Sequence, residues 1–105
     1  MADERIKEII MRYGYDAQSR QCIEEMAELT QAINKFWRKD LKCGYGAVYE
    51  EILDKKSQQY NNLIEEIADV EIMLDQMKEM LYCGEIVKEL KEKKLERQME
   101  RLRGK

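Results

Sequence analysis

Two short acidic motifs hold the residues of this chain that are best suited to chemistry. They are residues 24–28 (Glu-Glu-Met-Ala-Glu) and residues 65–69 (Glu-Glu-Ile-Ala-Asp). In each motif the second and the last acid lie three residues apart. On a helix this spacing puts both side chains on one face, one turn apart. The four acids in question are Glu25, Glu28, Glu66 and Asp69.

Two helices that packed these faces together would gather four carboxylates around one point. Like charges that lie so close repel each other, so the arrangement favours a hard divalent cation among them. Ala27 and Ala68 precede the last acid of each motif, and such small residues allow close approach of the helices. The motifs therefore predict a site for Mg²⁺, with Mn²⁺ as a substitute. The alternative interpretation is a solvated acidic helix face.

The composition indicates a single all-α domain over 1–105. Charged residues make up 39% of the chain and proline is absent, which is typical of helices. Histidine is absent too, so zinc and iron sites are not expected, and carboxylates would have to serve as general bases. The net charge of −3 argues against a nucleic-acid partner. No long apolar run or secretory signal is found, so we expect no membrane partner.

The three cysteines have no metal-ligand spacing, and an odd number does not make a complete set of disulfides. They predict free thiols in a reducing environment, and hence a cytoplasmic protein. We expect none of them to take part in catalysis. They are Cys22, Cys43 and Cys83.

The apolar spacing predicts an antiparallel helical bundle of about four long helices plus a short one. Gly14 is expected to end the first helix, Asp16 to cap the second, Ser57 to cap the third and Gly84 to end it. The predicted long helices cover 3–13, 17–39, 58–82 and 85–103, and the short helix covers 47–55.

Two apolar stripes are expected to form the core of this bundle. The stripes are Ile23, Met26, Thr30, Ile33 and Trp37 on the second helix, and Leu63, Ile67, Val70, Leu74, Met77 and Leu81 on the third. The second stripe alternates steps of four and three, as bundle helices do. The chain has more apolar faces than one thin bundle can bury. Assembly into a homodimer or homotetramer is therefore expected.

The segments around the two motifs resemble the MazG-like all-α nucleoside triphosphate pyrophosphohydrolase superfamily. The resemblance lies in 22–33 (Cys-Ile-Glu-Glu-Met-Ala-Glu-Leu-Thr-Gln-Ala-Ile) and 63–70 (Leu-Ile-Glu-Glu-Ile-Ala-Asp-Val). It implies magnesium-dependent hydrolysis of a nucleoside triphosphate to a monophosphate and pyrophosphate. It also implies that magnesium is bound by Glu25, Glu28, Glu66 and Asp69. The connection over 29–65 is longer than is usual in this family, which affects the expected substrate preference.

Several side chains are candidates for catalysis and for binding the substrate. Glu28 is the first choice for positioning or deprotonating the attacking water, and Glu24, one turn away, is the second. The family often places cations on its last helix, so the resemblance suggests Lys94 and Arg97 for the triphosphate. Further candidates are Lys35 and Arg38 for phosphate and Trp37 for a wall against the base.

Three alternatives remain open from the sequence. The first is a non-catalytic helical interaction module, which would not respond to magnesium. The second is a related enzyme on the same fold, a dUTP- or phosphoribosyl-ATP-type pyrophosphohydrolase. The third is a catalytically silent member that binds nucleotides, although all four candidate ligands are present.

Overall fold

The computed structural model describes residues 3–41 and 49–104. Every regular element in these two ranges is helical, which confirms the predicted all-α class. None of the described helices is both long enough and apolar enough to cross a membrane. The elements are α1 (Glu4–Lys39), a 3-10 turn (Glu50–Ile52), α2 (Gln58–Met80) and α3 (Gly84–Arg103).

Gly14 divides α1 into two segments, as the sequence predicted. Its backbone has φ 82° and ψ 170°, a conformation that is open almost only to glycine. The helix is therefore sharply kinked at this residue, and the predicted helices 3–13 and 17–39 follow each other across the kink. The predicted cap at Asp16 is not observed, because its carboxylate instead pairs with Arg20 Nε at 3.2 Å.

Ser57 caps α2, also as predicted. Its Oγ accepts a hydrogen bond from the backbone N–H of Tyr60 at 2.9 Å. The same hydroxyl donates to Asp40 Oδ2 at 2.5 Å. Asp40 directly follows the last residue of α1. One serine thus satisfies the start of α2 and ties it to the end of α1.

The short helix predicted over 47–55 begins at residues 47 and 48, which lie outside the described residues. From residue 49 onward the structure has a single 3-10 turn, Glu50–Ile52, instead of a helix. The carboxylate of Glu50, in this turn, forms a salt bridge with Lys55.

The turn between α2 and α3 differs from the prediction. Gly84 was expected to end α2, but it is the first residue of α3. The residue with a left-handed backbone conformation in this turn is Tyr82, with φ 54°. This tyrosine is 90% exposed, so its ring makes little contact that would offset the backbone strain.

Helices α1 and α2 form an antiparallel hairpin. Gln18 Nε2 donates to Gln76 Oε1 at 2.8 Å near one end, and the rings of Phe36 and Tyr60 lie 6.2 Å apart near the other. Apart from the buried Gln76 and its partner Gln18, the residues between the helices follow steps of three and four, the spacing of bundle packing. This seam consists of Cys22, Glu25, Leu29, Ala32 and Phe36 on α1, and Leu63, Glu66, Val70, Met73, Met77 and Met80 on α2.

The seam differs from the stripes that the sequence predicted. Leu63, Val70 and Met77 of the predicted α2 stripe do lie in it. The other members of both stripes lie beside the seam and are exposed in the single chain. The large exposed members of the stripes are Ile23, Met26, Ile33 and Trp37 on α1, Ile67 and Leu74 on α2, and Leu81 directly after α2. Together with Ile64, which is also exposed and belongs to neither stripe, we call them the apolar face.

The apolar face lies on one side of the hairpin. Each of its eight residues directly follows a seam residue, as Trp37 follows Phe36 and Ile67 follows Glu66. Moving one residue along an α-helix turns the direction of the side chain by about 100° around the helix axis. Because the two helices run in opposite directions, the same rotation in each brings both stripes to the same side. Their exposure ranges from 39% at Ile67 to 63% at Ile23.

Helix α3 buries little of this surface. Among the described helices it contacts α2 but not α1. Val87 is its single side chain that is not exposed. The radius of gyration is 17.1 Å, whereas a compact domain of this length has about 13 Å. The single chain is therefore an open arrangement, with a hairpin and a mostly uncovered third helix.

The accessible surface shows how much packing is missing from one chain. It measures 8941 Å², whereas a folded monomer of this mass exposes about 6,200 Å². The buried hydrophobic side chains among the described residues are only Cys22, Phe36, Val70 and Met73. This core is small for a chain of this length.

Replacing Gly14 by alanine should destabilise the fold. A Cβ at this position would meet nothing within 4 Å, so the cost comes from the backbone conformation alone. It should lower the free energy of unfolding by about 1–3 kcal/mol. The matched control is Gly84→Ala, since Gly84 also has open space but no positive φ. Chemical denaturation of both variants measures the difference, and equal stabilities would contradict the assigned kink.

Candidate metal centre and adjoining groove

Three carboxylates from the two helices of the hairpin converge. One oxygen from each of Glu25, Glu28 and Glu66 lies within 4.8 Å of the other two. Glu25 and Glu66 are seam residues, so the packing of apolar neighbours along the seam holds them between α1 and α2. Glu28 lies one turn after Glu25 and is exposed. The structure thus brings together three of the four acids that the two motifs singled out.

Asp69, the fourth acid of the predicted set, lies beside this group. Its carboxylate is close enough to Glu25 to raise the pKa of that residue, and its own side chain is exposed. Glu24, the second candidate for catalysis, is also exposed, and it is not part of the converging group. We call Glu25, Glu28, Glu66 and Asp69 the acidic cluster.

Burial and mutual repulsion raise the pKa of two members of the cluster. For Glu66 the largest cause is burial, followed by the charges of Glu28, Glu25 and Asp69. For Glu25 the pKa is raised first by burial, then by Asp69 and Glu28. Gln21 Nε2 opposes this shift, because it donates to Glu25 Oε1 at 3.4 Å. The ionised cluster therefore carries an electrostatic cost that a bound cation would relieve.

One oxygen of the cluster is buried without a partner. Glu66 Oε1 is inaccessible to solvent, and no group in the described part of the chain donates a hydrogen bond to it. A buried carboxylate oxygen normally has a donor or a metal ion beside it. Carboxylate oxygens are also the ligands that magnesium prefers. The donor set and the unpartnered oxygen both fit a hard divalent cation.

A polar groove of about 750 Å³ adjoins the cluster. This volume is in the range of small-molecule sites. The groove lies between the second half of α1 and the first half of α2. Several of its residues directly precede seam residues, as Glu28 precedes Leu29 and Lys35 precedes Phe36, so it lies on the opposite side of the hairpin from the apolar face. Its walls are Glu28, Gln31, Ala32, Lys35 and Lys39 on α1, and Gln58, Gln59, Asn62, Glu65 and Glu66 on α2.

The predicted substrate-binding residues are dispersed in the structure. Lys35 lines the groove, whereas Arg38 does not. Trp37 is 56% exposed on the apolar face, away from the groove. Lys94 and Arg97 lie on α3, which does not contact α1 within the described residues. In a single chain, only Lys35 of the five candidates therefore lies in the groove beside the cluster.

Sequence reasoning missed most of the groove. Neither Lys39 nor the carboxamides of Gln31, Gln58, Gln59 and Asn62 are among the residues that the sequence predicted for the site. A signal was present, since Gln31 and Asn62 each precede a seam residue, as Glu28 does. This spacing identifies groove residues only once it is known which row of residues on each helix forms the seam.

Comparison with known proteins gives no match to this chain, whether with protein-family models, with curated proteins or with solved structures. The resemblance to the MazG-like superfamily consequently rests on the two acidic motifs and their surroundings.

The acidic cluster should make the stability of the metal-free protein depend on pH. Because the pKa values of Glu25 and Glu66 are raised above the ordinary 4.5, the native state binds more protons than the unfolded chain between that value and the raised ones. Stability should therefore fall as pH increases through this window. Glu66→Gln removes one charge, so its free energy of unfolding should exceed that of the wild type above the window.

The advantage of Glu66→Gln should shrink below pH 4.5, where the wild-type carboxyl is protonated in both states. Glu71→Gln is the matched control, since Glu71 is an exposed glutamate of the same helix outside the cluster. Denaturant unfolding across pH 4 to 8, with a chelator present, measures both effects. A pH-independent difference for Glu66→Gln would show that repulsion does not act at this site.

Proposed function

We propose that this protein is a magnesium-dependent nucleoside triphosphate pyrophosphohydrolase. It would cleave the substrate between the α and β phosphates, releasing a nucleoside monophosphate and pyrophosphate, and so remove unwanted nucleotides from the cellular pool. The observation that carries the proposal is the convergence of Glu25, Glu28 and Glu66. The resemblance of both motifs to the MazG-like superfamily supports this reaction over other metal-dependent chemistry.

The acidic cluster supplies the residues that would hold magnesium. Glu25 and Glu66 are half-buried residues of the seam, so the packing of α1 against α2 positions their carboxylates. Glu28 and Asp69 are exposed and complete the set from the solvent side. When bound, magnesium neutralises the charge on the phosphates and lowers the barrier to attack by water.

Glu28 is the residue that we assign to the attacking water. Its carboxylate belongs to the cluster and also lines the groove, so it can reach the metal ligands and the substrate together. It would accept a proton as the water oxygen bonds to the α phosphorus. The bond from that phosphorus to the bridging oxygen then breaks, and pyrophosphate leaves. Glu24 is exposed one turn away and is the second candidate for this role.

A non-catalytic interaction module is the main alternative, and the apolar face and exposed α3 are the observations that favour it. This alternative assigns the four acids only to a charged surface. It therefore requires that magnesium has no effect on the protein, which separates it from the proposed enzyme.

The single chain also supports self-association, and we propose that two hairpins pair through their apolar faces. Two stacked helical hairpins make a four-helix bundle, and the same patch on both copies satisfies a two-fold axis. The chain exposes about 2,700 Å² more surface than is expected for a folded monomer of its mass. In an ordinary interface each partner buries only about 800 Å². Such an excess fits an obligate dimer, or a tetramer with a second interface.

Glu66→Gln should abolish pyrophosphate release and reduce the response to magnesium. A neutral amide is a poorer ligand for a hard cation than a carboxylate. Magnesium at a hundred times its Kd should stabilise the wild type by about 2.7 kcal/mol, and the variant by much less. Glu71→Gln should behave as the wild type in both respects.

The assay is a panel of canonical and damaged ribo- and deoxyribonucleoside triphosphates, with dUTP and phosphoribosyl-ATP, in which pyrophosphate and orthophosphate are measured separately. A chelator should stop the reaction, and manganese should restore it. Release of orthophosphate alone would point to another reaction class. Identical melting shifts in wild type and Glu66→Gln on adding magnesium would exclude the proposed metal site.

Ile67→Glu should disrupt the assembly, because it puts a charge in the middle of the apolar face. Ile72→Glu is the matched control on the same helix. The two isoleucines are similarly exposed, at 39% and 46%, but Ile72 is not part of that face. Sedimentation velocity should give an oligomer for wild type and Ile72→Glu, and a smaller species or an unfolded chain for Ile67→Glu. A wild-type monomer at micromolar concentration would contradict the pairing.

A further inference from the structure

The groove beside the acidic cluster has opposite charges at its two ends. The carboxylates of Glu28, Glu65 and Glu66 lie at one end, and the amino groups of Lys35 and Lys39 lie farther along α1. Lys39 lies eleven positions after Glu28, which corresponds to about 16.5 Å of helix. A ligand that fits this pattern carries a metal cation at one end and negative charge along its length.

The two lysines have their charges available. Neither forms an ion pair with a carboxylate in the part of the chain that the structure describes, and the same is true of most other cations there, including Lys94 and Arg97. Lys35 and Lys39 face a cavity instead of bulk solvent alone. Lysine ammonium groups at the wall of a cavity favour phosphate as a ligand.

The opposite wall of the groove is rich in carboxamides. Gln58, Gln59 and Asn62 of α2 line it, and Gln31 joins them from α1. Each carboxamide has an NH₂ group with two hydrogen-bond donors. Ala32 is the sole apolar side chain among the lining residues, so the groove has no flat apolar surface against which a base could stack. These walls fit a polyanion better than a nucleobase.

We propose that the lysine end of this groove is the subsite for the β and γ phosphates, the part of the substrate that leaves as pyrophosphate. The inference rests on the proposed function and deepens it. With the α phosphorus at the acidic cluster, the remaining phosphates extend along α1 past Lys35 toward Lys39. The base and sugar then lie on the other side of the cluster, outside the groove.

This proposal assigns triphosphate binding to cations of α1, whereas the sequence suggested cations of α3. Lys94 and Arg97 lie on a helix that has no contact with α1 within the described residues, whereas Lys35 and Lys39 share one cavity with Glu28. It also predicts product inhibition, because free pyrophosphate would bind where the leaving group lies. A separate enzyme that hydrolyses pyrophosphate would then favour turnover.

The test measures binding of two products to three proteins by isothermal titration calorimetry with magnesium present. The proteins are the wild type, the double variant Lys35→Met/Lys39→Met, and the control Lys94→Met. The probes are inorganic pyrophosphate and the nucleoside monophosphate formed from the best substrate. Loss of a charge-assisted hydrogen bond weakens binding by about tenfold or more, so the double variant should bind pyrophosphate at least tenfold more weakly.

Binding of the monophosphate distinguishes a phosphate subsite at the lysines from a subsite that binds the base. Its affinity should be the same in all three proteins, since it lacks the phosphates that the lysines contact. An equal loss for monophosphate and pyrophosphate in the double variant would overturn the assignment, as would unchanged pyrophosphate binding. Lys94→Met should bind both probes as the wild type does.

A second variant guards against misfolding of the first. Asn62→Asp places a negative charge on the carboxamide wall and should also weaken pyrophosphate binding selectively. Failure of the groove proposal is distinguishable from failure of the proposed function. If pyrophosphate is still released and Glu66→Gln still abolishes its release, unchanged binding in the lysine variants would disprove the subsite alone.

Discussion

Two glutamates occupy positions in the seam between α1 and α2 where apolar side chains would otherwise pack. Glu25 follows Cys22 by one turn and precedes Leu29, and Glu66 lies in the same way between Leu63 and Val70. The apolar neighbours fix the helices at a distance at which the carboxylates meet. The fold thus holds like charges together in a half-buried place, at an energetic cost that raises their pKa values. The proposed metal site depends on this constraint.

The seam also separates two surfaces with different chemistry. Side chains that precede seam residues, such as Glu28 and Lys35, line the polar groove. Side chains that follow seam residues, such as Trp37 and Ile67, form the apolar face. Because the helices are antiparallel, each set collects on one side of the hairpin. The proposed substrate binding and the proposed self-association would therefore use opposite sides of the same two helices without competing.

Much of the local structure could be predicted from residue types and spacing. The break at Gly14, the cap at Ser57 and the placement of the two acids of each motif one turn apart follow from rules that act over one or two turns. The choice of seam could not be predicted in this way. Apolar residues occupy two neighbouring heptad positions, as Phe36 and Trp37 show, and either stripe has the right period. The structure buries the one that includes Glu25 and Glu66.

Residue types and their spacing along the chain determine the helical class, the long helices and the pairing of acids within each motif, because these depend on neighbours within a few turns. Tertiary packing alone decides which stripe is buried, which cations share a cavity with the cluster and which apolar side chains stay uncovered. Lys35 and Lys94 are equivalent in type, and only the packing of α1 against α2 places Lys35 in the groove. Contacts between residues far apart in the chain depend on how the helices rotate against each other, which no local pattern encodes.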